Sequence, residues 1–180
     1  YNVQSFIHQI IFKDKKAIVI FDTDITKQVE DEELLKKQAE LLHHQANHDT
    51  LTKLPNRKLF NDRLVQSIKN AKRDNKKFAL LFIDLDQFKK INDSLGHHIG
   101  DEVLIEASKR LQNSIRENDT LARLGGDEFT IILKNISNAE DASKVSQKII
   151  DAMKKSIKVS QHTLFISASV GISIYPNDTQ

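Results

Sequence analysis

Apolar residues change their spacing several times along the chain, and each spacing predicts a different element. Near the start, "FIHQIIF" and "KAIVIFD" are rich in β-branched residues and are joined by the charged turn "KDKK", which predicts two strands before Ile25. Two strands alone cannot bury a core, so residues 1–25 read as the C-terminal remnant of a domain. "DTDIT" then offers Thr26 as a helix N-cap, with acids in the turns that follow. The next stretch, "KQVEDEELLKKQAELLHHQANHD", holds helix formers and neither Gly nor Pro. Within it Leu35, Ala39, Leu42 and Ala46 recur at alternating spacings of four and three, the rhythm of a coiled-coil seam. Residues 26–48 are therefore a linker helix, either a solvated connector or one half of a parallel pair.

From Asp49 onward the spacing is that of a packed domain, 49–180. Leu59, Phe60, Leu64 and Ile68 share one helical face in "RKLFNDRLVQSIKNAKR". "KFALLFIDLD" is continuously apolar from Phe78 to Ile83, as expected of a central strand covered on both faces. "DEVLIEASKRLQNSI" repeats as a helix through Leu104, Ala107, Leu111 and Ile115. "NAEDASKVSQKIIDAMKKSI" predicts another helix, and "TLFISASVGISIYP" alternates from Leu164 to Ile174 as one long strand. Between those two helices, Gly125 and Gly126 supply the turn of a hairpin. This order predicts an α+β fold, one mostly antiparallel sheet flanked by helices.

Composition narrows the function. Hydrophobic residues make up 39% and charged residues 29%, as in an ordinary globular protein. A net charge of +2 gives no footprint for nucleic acid. The absence of cysteine excludes disulfides and thiolate metal sites and fits a reducing, cytoplasmic setting. No apolar run reaches the roughly 20 residues that span a bilayer, so membrane attachment would come only through other parts of a parent chain. The first residue is Tyr1 rather than Met, which suggests a piece of a longer protein. His44 and His48 lie one turn apart, but without a third ligand they read as surface histidines rather than zinc ligands.

The hairpin "TLARLGGDEFTIIL" needs its glycines, yet it does not need Asp127 and Glu128 side by side at the tip. The apolar strand likewise ends in acids, "FIDLDQFKKIND", with Asp84 directly after the run. If that strand lies beside the hairpin, Asp84 and Asp127 face one another. With the Leu85 carbonyl they then form a hard oxygen site suited to Mg²⁺, with Mn²⁺ as an alternative. Lys89 and Lys90 follow, where they could neutralise phosphate charge. On residue pattern alone, a strand-end cap at Asp84 and Asp86 and a turn shaped by Asp127 stay equally open.

"RLGGDEF" together with "FIDLDQFKKINDSLGHHIGDEVL" resembles the GGDEF-domain family, the diguanylate cyclases. "HDTLTKLPNR" is similar to that family's opening signature, with Lys53 where a glycine is more usual. The resemblance covers about Asp49 to Asp178 and implies a fold like the palm of nucleotidyl cyclases and polymerases. It implies condensation of two GTP into cyclic di-GMP with release of two pyrophosphates, by a homodimer. Carried onto matching positions, it makes Asp84, Leu85 and Asp127 the metal site, with Asp127 also assisting removal of the ribose 3′-hydroxyl proton. It gives Lys89 the triphosphate, Asn92 and Asp101 the guanine, and His97 an adjoining substrate contact. Gly125 and Gly126 leave room for phosphates, and Glu128 is a secondary candidate for metal or phosphate-water contacts. Arg116 and Asp119 match an RxxD site where cyclic di-GMP inhibits its own synthesis. The alternative within the family is a catalytically silent domain that serves as a nucleotide receptor or dimerisation element. The resemblance also implies a basic C-terminal helix after "YPND", which this sequence, ending at Gln180, does not contain. The N-terminal zone through "FDTDIT" resembles the end of a PAS sensor domain running into a signalling helix.

Overall fold

A computed structural model describes residues 1–12 and 15–178. Part of the expected "KDKK" turn, at Lys13 and Asp14, lies outside the described residues. The chain divides into two compact units, Tyr1–Ala46 and the part beginning at Asn47.

In the first unit, β1 (Val3–Phe12) and β2 (Lys15–Asp24) pair antiparallel, with Phe6 opposite Phe21 and Ile7 opposite Ile20. All four of these side chains are exposed, as expected of a two-stranded ribbon. The helix α1 (Thr26–Asn47) follows. Thr26 is its first helical residue rather than its N-cap. The Asp24 carboxylate accepts from the Thr26 N–H at 2.9 Å, and the Thr26 hydroxyl accepts from the Asn2 N–H at 2.7 Å. Leu35, Ala39, Leu42 and Ala46 are all exposed.

The second unit is built on a four-stranded sheet in the order β4-β5-β3-β8, antiparallel at every pairing. The strands are β3 (Lys77–Leu85), β4 (Thr120–Gly125), β5 (Glu128–Ile136) and β8 (Ala168–Tyr175). Period-two alternation sends Ala79, Leu81, Ile83 and Leu85 of β3 to one face. There they meet Val103, Leu104, Ala107 and Leu111 of α4 (His97–Ser114) and Ala142, Ile149 and Met153 of α5 (Ala139–Met153). Phe88, from the short helix α3 (Phe88–Leu95), joins the same core. The other face receives α2 (Arg57–Asp74) through Phe60, Leu64 and Ala71, packed on Phe78, Ala122 and Ile132. This is the expected α+β architecture.

Three sequence expectations change in detail. The core side of α2 carries Ser67 where Ile68 was expected. The Ser67 hydroxyl bonds back to the Arg63 carbonyl at 2.8 Å, while Ile68 is exposed. β3 is central but not covered on both faces. The α2 face covers only its beginning, leaving Phe82 50% exposed and Asp84 open to solvent. The predicted long strand is divided into β7 (His162–Leu164), paired with β6 (Ile157–Val159), and β8. Between them, the Asp86 N–H bonds to the Ser167 carbonyl at 2.9 Å, and its carboxylate accepts from the Ser167 and Ser169 hydroxyls.

Candidate functional site

The register of β3 against β5 decides the geometry. Asp84 lies opposite Glu128, one residue beyond the hairpin tip, because Ile83 pairs with Phe129 and Phe82 with Thr130. Gly125 and Glu128 pair across the hairpin, so Gly126 and Asp127 are its two turn residues. Gly125 (φ 147°) and Gly126 (φ 53°) both take backbone conformations that side chains disfavour, while a Cβ at either would meet open space. The glycines thus serve the turn and leave its outer side unfilled.

Across the sheet Asp84 is opposite Glu128 rather than Asp127, which lies in the adjoining turn. Burial pushes the Asp84 carboxyl above its ordinary value, and the charges of Asp127, Glu128 and Asp86 push it further. Leu85, next along β3, is buried and opposite Ala168. Beside the acids opens a cleft of about 630 Å³, lined by Arg57, Phe82, Asp84, Leu124, Glu128 and Ser169. Arg57 approaches Glu128 only at 3.9 Å, with both side chains mostly exposed, so it neutralises little of this charge. Among the described residues there is no group of three or more His, Cys, Asp or Glu arranged as a metal cage. Carboxylates and a backbone carbonyl are hard oxygen donors, and a cluster of carboxylates with little nearby positive charge fits a divalent cation that also binds a phosphorylated ligand.

The chain then turns sharply from β3 into α3 through Gln87, which has φ 60°. Lys89 is exposed on α3, and Lys90 bonds to the Gln87 side chain at 3.1 Å. Asn92 lies on the same helix, with its Oδ1 buried and without a hydrogen-bond partner among the described residues. Gly96 (φ 85°) joins α3 to α4, which therefore begins at His97, earlier than the apolar repeat indicated. His97 and Asp101 are exposed one turn apart on α4.

Arg116 and Asp119 form a closed turn. The Asp119 carboxylate accepts from the Arg116 N–H and the Lys134 N–H, each at 3.0 Å. The motif alone did not reveal this structural duty of Asp119. A cleft of about 680 Å³ adjoins it, lined by Arg63, Asn70, Arg73, Lys134 and Asn135 among others.

Sequence reasoning missed the residues that hold the acid-bearing turn. Arg123 donates to the Gly126 carbonyl through Nε at 2.9 Å and Nη2 at 2.7 Å, and through Nη1 to Asp49 at 2.9 Å. Asp49 in turn accepts from the Thr52 N–H and hydroxyl. The signal was a lone arginine inside the apolar strand "TLARLGG", since a buried guanidinium requires partners. Lys53 in the same loop has φ 61°, which accounts for the glycine more usual there in the resembled family.

Comparison with known proteins agrees with this geometry. The family model described as "Diguanylate cyclase, GGDEF domain" matches residues 46–180. The chain is 49% identical over 135 residues to the bifunctional diguanylate cyclase/cyclic di-GMP phosphodiesterase MucR of Pseudomonas aeruginosa, covering 75% of this chain and 20% of MucR. It is 44% identical over 136 residues to the diguanylate cyclase TpbB of the same species, covering 75% of this chain and 31% of TpbB. The structure of a truncated TpbB comprising only its GGDEF domain superposes with a TM-score of 0.70 at 43% identity, covering 72% of this chain and 76% of that one. The coiled coil and GGDEF domain of DgcB from Caulobacter crescentus, in complex with c-di-GMP, gives 0.77 at 25% identity, covering 83% and 80%. The chain thus spans between a fifth and a third of the length of these two curated relatives.

Proposed function

The chain belongs to the GGDEF-domain family of diguanylate cyclases, and on that premise we propose that it condenses two GTP into cyclic di-GMP. The observation that carries this reading is the register that sets Asp84 opposite Glu128, at the foot of the Gly126–Asp127 turn.

GGDEF cyclases use a divalent metal, which we take to be Mg²⁺ and which Asp84, the Leu85 carbonyl and Asp127 would hold. When bound, the ion supplies positive charge against the triphosphate and the carboxylates. Asp127 takes the proton from the ribose 3′-hydroxyl. Each 3′-oxygen forms a bond to the α-phosphorus of the other GTP while the α–β phosphoanhydride bond breaks, so two pyrophosphates leave. Lys89 neutralises triphosphate charge, Glu128 would assist metal or phosphate-water contacts, and Gly125 and Gly126 let phosphates reach the turn. Asp101 accepts from the guanine N1–H and 2-amino group, Asn92 donates to its O6 or N7, and His97 closes the substrate contact. Two copies meet face to face, each presenting one GTP, with the exposed seam of α1 as one pairing surface. Cyclic di-GMP returns to Arg116 at the Asp119 turn and lowers turnover.

Incubation with GTP and Mg²⁺, with the product identified by mass spectrometry, tests the proposal. Cyclic di-GMP and pyrophosphate are expected in a 1:2 ratio, with specific activity rising with protein concentration. Asp127→Ala is expected to keep the fold and lose turnover; turnover near that of the parent chain overturns the assignment.

A further inference from the structure

Gly100 is the third helical residue after His97, in a helix whose backbone any residue could adopt there, since its φ lies outside the left-handed region. Glycine is the poorest ordinary helix former, so its presence in α4 asks for a packing reason. The reason is visible. A Cβ at position 100 would stand 1.8 Å from Asn92 Oδ1, 2.9 Å from Asn92 Cγ and 3.2 Å from Phe88 Cζ. Phe88 is buried and cannot retreat, so the clash falls on the Asn92 carboxamide. A second observation points the same way. Asn92 Oδ1 is buried here without a hydrogen-bond partner among the described residues, an expense that native structures seldom accept without a functional return.

We propose that Gly100 is a specificity-determining positioning residue: its missing side chain forms the seat that holds the Asn92 oxygen inward. The two ends of a planar amide diverge, so seating Oδ1 against Gly100 turns the Nδ2 donor outward. A donor in that place pairs with the O6 or N7 acceptor of guanine. It finds only the N7 acceptor of adenine, whose N6 amino group is itself a donor. Gly100 thus acts through Asn92 and touches no ligand. The inference rests on the assignment of Asn92 to the base, and the test separates the two.

Displacement of a fluorescent GTP analogue by GTP and by ATP is measured for the parent chain, Gly100→Ala, Asn92→Ala and the double variant, with thermal midpoints alongside. Gly100→Ala is expected to lower the preference for GTP over ATP by about tenfold. Asn92→Ala is expected to do the same. In the Asn92→Ala background the clash with the carboxamide is gone, so Gly100→Ala is expected to change the preference no further. That non-additivity distinguishes a seat for one side chain from general damage to the helix. An unaltered preference in Gly100→Ala, with the preference lost in Asn92→Ala, overturns the inference and leaves the base assignment standing. A further tenfold loss on adding Gly100→Ala to Asn92→Ala also overturns it. An unaltered preference in Asn92→Ala overturns the base assignment and, with it, the role of the seat in specificity.

Discussion

Arg123 and Asp49 are 74 positions apart in sequence and meet at 2.9 Å, with side chains only 10% and 21% exposed. The same guanidinium holds the Gly126 carbonyl with its other nitrogens, so one side chain ties the loop at Asp49 to the turn bearing Asp127. Arg123→Ala strands a half-buried carboxylate and a turn carbonyl together. Breaking a buried pair typically costs about 3–5 kcal/mol, and with this residual exposure a loss of about 3 kcal/mol is expected in urea denaturation. Arg123→Lys is expected to rescue little, because one ammonium cannot reproduce the fork.

The Asp49 carboxyl also sets an acid limit. Burial raises its pKa, but hydrogen bonds from Thr52 and Arg123 outweigh that and hold it below the ordinary carboxylate value. A depressed folded value adds stability that is complete above the unfolded value of about 3.9 and is lost as pH falls through the folded one. The stability gap between the parent chain and Asp49→Asn is therefore expected to be constant near neutral pH and to narrow below about pH 4. A gap that does not narrow would remove the charge from the explanation.

Lys53 sits in a left-handed conformation with its N–H on the Asp49 carbonyl. That conformation costs a side chain about 1–2 kcal/mol, while glycine brings about 0.5–1 kcal/mol of extra unfolded-state freedom. Lys53→Gly is expected to stabilise by roughly 0.5 kcal/mol, the difference between those two terms. Lys53→Val is expected to destabilise, and calorimetry reads both.

Asp84→Asn removes one charge from a cluster of like charges. Relative to the parent chain, the variant is expected to melt higher without metal, to show no turnover of GTP, and to show none of the rise in thermal midpoint expected of the parent with Mg²⁺. A lower midpoint without metal would show that Asp84 serves the fold rather than the ion.

Arg116 and Asp119 are expected to separate on mutation. Arg116→Ala leaves the main-chain bonds of the turn in place, so the turn is expected to be kept. Calorimetric affinity for cyclic di-GMP is expected to fall at least tenfold, as for a charge-assisted contact worth about 1.5–3 kcal/mol. Asp119→Ala deprives the Arg116 and Lys134 N–H groups of their acceptor, so it is expected to lower stability as well. Equal stability loss in both variants would contradict this division of labour.

Much of this site was legible because local chemistry carried it. The apolar run ending at Ile83, the acid after it and the paired glycines were enough to bring Asp84 and Asp127 to one end of a sheet. What pairing decides was not legible. Leu164, Ile166 and Ala168 keep a spacing of two across the break, yet the strand divides there, where Asp86 holds the Ser167 and Ser169 hydroxyls. The run from Phe78 to Ile83 could not report that α2 stops short of Phe82, since hydrophobicity records a tendency to be covered and not what covers it. Gly100 showed in one dimension only as a glycine just ahead of the apolar helix repeat, for its meaning lies in the shape of Asn92 across a helix turn.

The pairing of Asp84 with Glu128 also restricts which length changes this gene segment can accept. Odd-numbered residues from Ala79 to Leu85 feed the α4–α5 core, while the even-numbered ones take the opposite face, covered by α2 at Phe78 and open at Phe82 and Asp84, so the acid is outside by parity. Inserting one codon anywhere between Phe78 and Asp84 would exchange the two sets, driving the carboxylate into the interior and Leu85 into water. A pair of codons would restore parity but carry the acid past the hairpin tip. Fold and chemistry are thus written on alternate letters of one strand, and neither can drift in length without the other.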